Sequence, residues 1–313
     1  MYKKKNPTET RLVFDISATD QTFFIDVAAA LSAINRKAFR QGLYYYINSF
    51  EVENAEDGYV ELKVAPDTWM TKNAYKRGLR KYYENYAESD TPRPKYHDFK
   101  IYLDSTHRDH DNGTPNYTQG GTPTYGFYRP SLGGAIGNMS VLSLDEWEYS
   151  KYVSHENTTT GTPFQFDIHL IGNHIGTAPG YTSVGLIHSY HKSRPEPDQS
   201  GEPILPSGHA DDPLNNLMES AADDVVQAKA SNLDNDNDRT PYNADYYTGE
   251  SDNGLTILRR LATGANSNGR VHEIAGACVP FGLIRVDASY SSSWRLIINV
   301  ASGTYNGVYA ERV

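Results

Sequence analysis

Apolar and polar residues alternate with a period of two in several short stretches of this chain, and with a helical period in only a few. Residues 10–17 (TRLVFDIS), 42–54 (GLYYYINSFEVEN) and 59–65 (YVELKVA) read as strands, because every second side chain of a half-buried strand faces the core. Glu56, Asp57 and Gly58 separate the last two with turn-forming residues, which predicts a hairpin. Further strands are expected at residues 97–103, 139–144, 165–171, 183–191, 255–261, 279–289, 294–301 and 304–311.

Helical periodicity is clearest over residues 67–86. Asp67 is placed to cap this segment, and Tyr75, Leu79, Tyr82 and Tyr86 recur on one predicted apolar stripe. Lys76, Arg77, Arg80 and Lys81 fall on the opposite side. Gly78, in mid-helix, costs about 1 kcal/mol relative to alanine, which implies close packing at that point. Residues 23–39 read as a second helix with Asp20 available as its cap, although FFIDV (23–27) reads equally as a strand. Asp212 followed by Pro213 opens a third, with Leu214, Leu217, Met218, Ala221 and Val225 on one face.

Long polar stretches, rich in Gly, Pro, Thr, Asn and Tyr, cover about 104–136 and 192–212; connections of this length are normally functional or interface loops. Strands do not alternate regularly with helices, so a doubly wound parallel sheet is not expected. The pattern predicts a mainly β chain. The expected fold is a single antiparallel jelly-roll sandwich of about eight core strands over residues 10–313, with two or three helices in its long connections. A short basic arm, residues 1–9, precedes it.

Charge narrows the choice of partners. Lys and Arg total 29 against 39 Asp and Glu, a formal net charge of −10, so contact with nucleic acid is confined to local basic patches. Two such patches stand out: Lys3, Lys4 and Lys5 of the arm with nearby Arg11, and the helix face formed by Lys76, Arg77, Arg80 and Lys81. Mean hydropathy is −0.63, and no stretch approaches the ~18 apolar residues of a membrane span. The amino terminus, MYKKKNPTET, lacks the apolar core of a secretory signal. Cys278 is the single cysteine, so no intramolecular disulfide or cysteine-rich zinc site can form. The 24 tyrosines suit half-buried strands and partly wet interfaces.

Candidate chemistry is sparse. His107, Arg108 and Asp109 spell the HRD of a kinase catalytic loop, but Thr114 stands where asparagine is needed and no glycine-rich loop precedes them. Gly133, Gly134 and Gly137 match neither phosphate-binding spacing. His188 and His191 would point to opposite faces of a strand, and a turn at Gly172 and Asn173 separates His169 from His174. Asp234, Asp236 and Asp238, with Asp245 eleven residues after the first, have the spacing of a calcium loop and are the candidate ligands of a structural calcium ion. Arg239 replaces the usual glycine there, and Pro241 follows; the plain alternative is a solvated acidic loop. No catalytic residue and no other cofactor is expected.

Several phrases together carry a resemblance: LSAINRKAFRQG and YYYINSFEVEN, then APDTWMTKNAYKRGLRKYYENY, NDRTPYNADYYTGE, CVPFGLIRVDA and GTYNGVYAERV. In this order they resemble capsid proteins of circular, Rep-encoding single-stranded DNA viruses, particularly those known from environmental and marine samples. The resemblance implies a single jelly roll that self-assembles into an icosahedral shell around a circular single-stranded DNA genome, held non-specifically. It places the protein in the virion and, before release, in the infected host cell. Such proteins usually carry a long Arg/Lys-rich arm, whereas this arm has three lysines. Two other readings compete: a carbohydrate-binding β-sandwich with exposed aromatic platforms, and an enzyme on a jelly-roll scaffold.

Overall fold

The computed structural model describes residues 8–16, 22–54, 57–87, 96–111, 127–128, 141–142, 147–156, 163–176, 180–193, 248–249, 254–264 and 270–313. The chain divides into two compact units, Met1–His191 with Thr248–Val313, and Lys192–Tyr247, and the described residues fall almost entirely in the first. Among them no helix is long and apolar enough to cross a membrane.

The first half of the sandwich comprises β1 (Arg11–Ile16), β2 (Thr22–Asp26), helix α1 (Val27–Asn35), β3 (Leu43–Asn54) and β4 (Gly58–Val64). A long insertion follows: α2 (Trp69–Ala87), α3 (Ser105–Asp111), β5 (Phe127–Tyr128), β6 (Val141–Leu142), β7 (Lys151–Glu156), β8 (Pro163–His169), β9 (Ser183–Gly185) and α4 (Leu186–Lys192). The chain then returns through β10 (Thr256–Thr263), β11 (Arg270–Val279), β12 (Leu283–Ala288), β13 (Trp294–Val300), β14 (Ser302–Tyr305) and β15 (Ala310–Arg312).

Strand pairing is nested. β1 pairs with β13, β2 with β12, β3 with β11 and β4 with β10, all antiparallel. The resulting sheets run β11-β3-β13-β1 (extended by β5 and β6, with β15 also on β3) and β10-β4-β12-β2. Each chain step from β1 through to β4, and again from β10 to β13, changes sheet. Period-two burial explains why the sheets face each other. Leu12, Phe14 and Ile16 of β1, Phe50 and Val52 of β3, and Leu296 and Ile298 of β13 meet Val60, Leu62 and Val64 of β4 and Ile284 and Val286 of β12 in one buried cluster. The architecture is an antiparallel β-sandwich.

Several sequence expectations are corrected. Residues 42–54 and 59–65 are strands, but they lie in different sheets and form no hairpin; the turn at Asp57 and Gly58 is a corner between sheets. The expected helix at residues 23–39 is β2 followed by α1, whose N-terminus is capped by Asp26, not Asp20: the carboxylate accepts from the Ala29 amide at 3.0 Å. Residues 279–289 are not one strand, because a 3₁₀ turn (Pro280–Gly282) with Phe281 at φ 60° reverses the chain between β11 and β12. Residues 183–191 begin as β9 and continue as α4, so His188 and His191 share a helix face instead of opposing strand faces. The region about 104–136 contains α3, and the described residues hold four helices, not two or three.

A buried glutamine ties the insertion to the sandwich. Gln41 Nε2 donates to Asp26 Oδ2 at 2.7 Å, and Gln41 Oε1 accepts from the Ile101 amide at 2.6 Å. The Gln41 amide donates to Asp98 Oδ2 at 3.0 Å, and the Phe99 amide donates to the other Asp98 oxygen. Burial pushes both carboxyls up, each to about 6, against the hydrogen bonds that favour their ionised forms. With folded values above the unfolded ones, the contribution of these groups is greatest below about pH 4 and is lost as pH rises through 6.

Helix α2 packs on the segment so anchored. Thr68, not Asp67, caps it: the Thr71 amide donates to Thr68 Oγ1 at 3.2 Å, while Asp67 is engaged by Tyr44 and Lys72. Its buried face is Met70, Thr71, Ala74, Tyr75, Gly78 and Tyr82. Tyr75 lies against Phe99 and Phe281, with ring centroids at 5.5 and 4.8 Å, and Tyr82 against Phe99 at 5.0 Å. The stripe expected from sequence is therefore rotated: Leu79 is only half-buried and Tyr86 is exposed. The reason is local. A Cβ at Gly42 would lie 1.9 Å from the Tyr75 hydroxyl, and one at Gly78 would lie 2.8 Å from Leu186 Cδ2, so the two glycines let the Tyr75–Gly78 side approach its neighbours.

Truncating Tyr82 to alanine is therefore expected to cost about 3–5 kcal/mol, the range for a buried aromatic, and Leu79→Ala less than about 1 kcal/mol. Denaturant unfolding of the two variants checks this; the reverse order would place the buried face on the Leu79 side.

Candidate nucleic-acid interface

Helix α2 concentrates positive charge in an acidic chain. It carries Lys72, Lys76, Arg77, Arg80 and Lys81 against one acid, Glu84. With about 100° of turn per residue, Lys76, Arg77, Arg80 and Lys81 share one face. Lys76, Arg80 and Lys81 are exposed and Arg77 is half-buried. Lys81 Nζ meets Glu84 at 2.6 Å in an open i,i+3 pair, while Lys76, Arg77 and Arg80 form no salt bridge among the described residues. An exposed pair such as Lys81–Glu84 adds little stability and exchanges readily for another anion. Lys72 differs: it is held by Asp67 at 3.0 Å, and burial, which works to raise the Asp67 carboxyl, is outweighed by hydrogen bonds from Tyr44 and Lys72 that hold it low.

Several cations elsewhere among the described residues are compensated. The outer face of the β10-β4-β12-β2 sheet carries a chain of pairs in which Lys63 bridges Asp287 and Glu61, Arg260 pairs with Glu61, and Arg285 bridges Asp287 and Asp104. Arg11 lies on β1, a separate element from α2, with its guanidinium 3.3 Å from Glu51. The structure thus keeps the four helix cations together and assigns Arg11 to an ion pair. Lys3, Lys4 and Lys5, and the candidate calcium ligands Asp234, Asp236, Asp238 and Asp245, lie outside the described residues. Among the described residues no three metal-ligating side chains gather.

Gly133, Gly134 and Gly137 and the helix expected from Asp212 lie outside the described residues, whereas the HRD triplet, His169 and Cys278 have structural settings. His107 is buried on α3, where Nδ1 accepts from the Leu103 amide at 3.0 Å and the ring stacks on Phe24 at 4.5 Å. Arg108 is paired with Asp109 and Asp167. His169 is fully buried, with Nδ1 2.6 Å from Ser183 Oγ and Nε2 2.8 Å from the Asn173 carbonyl. Burial raises the Cys278 thiol to about 11, which keeps it protonated near neutrality.

Sequence reasoning missed a cleft beside the basic face. Ala74, Arg77, Gly78, Lys81 and Asn85 form one wall along α2; Tyr152 of β7, Val184 of β9, and Leu186, Ser189 and Tyr190 of α4 complete it, enclosing about 320 Å³. Tyr152 donates to the Gly78 carbonyl at 2.8 Å, and Asn85 Nδ2 to the Val153 carbonyl at 2.7 Å, so two hydrogen bonds fix α2 against β7. Tyr190 is held by an edge contact with Trp69, ring centroids 6.4 Å apart. The local signals were Gly78 and the cations Arg77 and Lys81; the facing wall comes from stretches about 70 and 110 positions away.

The chain matches no known protein family, no curated protein and no solved structure.

Replacing Arg77 and Arg80 with glutamine is expected to leave the fold intact and weaken single-stranded DNA binding. The slope of log affinity against log salt should fall by about 1–1.5, since each phosphate contact contributes roughly 0.7. Titrations at several salt concentrations check this, and an unchanged slope would move the contact elsewhere.

Proposed function

We propose that this chain is a viral coat protein: a jelly-roll subunit that self-associates into a closed shell and meets single-stranded DNA through the basic face of α2. The observation that carries the reading is the nested pairing of β1 with β13, β2 with β12, β3 with β11 and β4 with β10. Folding one long hairpin onto itself produces this order, which supports a jelly-roll reading, an architecture used by capsid and lectin domains.

The phrases resembling capsid proteins support the same choice, because those within the described residues meet in space. LSAINRKAFRQG supplies the end of α1, Gln41 and the Arg40 amide that donates to the Tyr305 hydroxyl at 3.0 Å, CVPFGLIRVDA supplies Phe281 against Tyr75 of the α2 phrase, and GTYNGVYAERV supplies Tyr309, whose ring lies 4.6 Å from Tyr46 of β3. The last phrase also supplies β15, paired with the start of β3. Exposed apolar side chains occur on several elements, including Ile257 on β10, Val271 on β11, Phe164 on β8 and Tyr309 near the terminus. A closed shell needs several such contact patches on each subunit. Trp294, which a sugar-binding reading would want at the surface, is buried with Phe23 and Tyr290.

Negative-stain imaging and sedimentation of the purified recombinant chain test the proposal. Spherical particles in the megadalton range are expected; a monomer or small oligomer under all assembly conditions would overturn it.

A further inference from the structure

We infer that the cleft between α2 and α4 holds one nucleotide of a single strand, with its phosphate at Arg77 and Lys81 and its base against Tyr190. This rests on the proposed contact between α2 and single-stranded DNA, and it adds a pocket that takes the base. Three features carry it. The cleft is continuous with the basic face, because Arg77 and Lys81 belong to both. Its volume, about 320 Å³, lies at the small end of the ~300–1,000 Å³ typical of small-molecule sites and suits a single aromatic group.

Its lining supplies the third feature: it divides by chemistry as a nucleotide does. Ala74, Gly78, Val184 and Leu186 make an apolar floor, Tyr152 and Tyr190 bring rings, Ser189 and Asn85 bring hydrogen-bonding groups, and the cations stand along one wall. A purely electrostatic contact needs only the cations. A cation wall beside aromatic rings is the arrangement that tracks a backbone while bases stack. Asn85 already donates to the Val153 carbonyl through its amide nitrogen, and its side-chain oxygen can accept from a base N–H such as the N3–H of thymine. Gly78 lets the floor close against α2, because a Cβ there would crowd both Leu186 and the Tyr152 hydroxyl.

The test compares a short oligothymidylate with an abasic oligonucleotide of equal length and charge, by fluorescence anisotropy on the intact chain. The intact oligonucleotide is expected to bind roughly tenfold more tightly, and Tyr190→Ala should erase most of that difference without changing the salt slope. Ser189→Trp, which fills the cleft from its rim, should do the same and covers the case in which Tyr190→Ala fails to fold. Equal affinity for the two oligonucleotides, with a salt slope that still depends on Arg77 and Arg80, would overturn the cleft and leave the electrostatic contact standing. Failure of both oligonucleotides to bind would overturn the α2 contact and the cleft together.

Discussion

Gln41 is the point on which the rest of this molecule depends. One buried amide side chain joins the N-cap of α1, through Asp26, to the backbone of Ile101, while its own main-chain amide holds Asp98. Everything in the long insertion is built outward from this junction. Phe99, next to Asp98, receives Tyr75 and Tyr82 of α2, and Tyr102 pairs with the end of β8, extending the β7-β8-β9 sheet. Helix α2, once seated, sets both the basic face and one wall of the cleft. A buried polar group satisfied on every side specifies one arrangement, and the same group left half-satisfied is costly.

The division of labour between the two apolar layers follows. The sandwich core, with Phe50, Leu62, Val286 and Leu296 among its members, forms from strands that pair across more than two hundred positions of sequence. The second set of buried residues, among them Phe99, Ile101, Leu103, Ile168, Leu170 and Ile187, lies outside that cluster and belongs to the insertion. The ion pairs on the outer face of β4 and β12 reach the insertion through Arg285 and Asp104, and Phe24 of β2 stacks on His107 of α3. The insertion is thus docked by polar and aromatic contacts on the sheet's outer face. Lys76, Arg77 and Arg80 of α2 form no salt bridge among the described residues and take no part in this docking.

How much of this the sequence disclosed depends on the range of the forces involved. Strands such as β4 and β13 were legible because alternation is a local property of a half-buried sheet. The basic face of α2 was legible for the same reason, since Lys76, Arg80 and Arg77, Lys81 are four apart. The sheet to which each strand belongs was not legible: Asp57 and Gly58 have the chemistry of a hairpin turn whether the chain turns back or crosses to the facing sheet, and the true partners of β4 are β10 and β12. The stripe on α2 was right at Tyr75 and Tyr82 but misplaced at Leu79 and Tyr86, because the buried side turns toward Gly78, where close approach depends on the remote Leu186. Gln41 gave no signal at all, as both of its side-chain partners are remote in sequence.

Hydrogen exchange on the Gln41→Ala variant tests the central claim most directly. With the junction intact in the parent chain, the account predicts that the variant loses protection selectively in α2 and in residues 98–103, while β1 and β13 keep theirs. Unchanged protection in α2, or an equal loss across the sandwich strands, would contradict the view that this one side chain seats the insertion and, with it, the basic face.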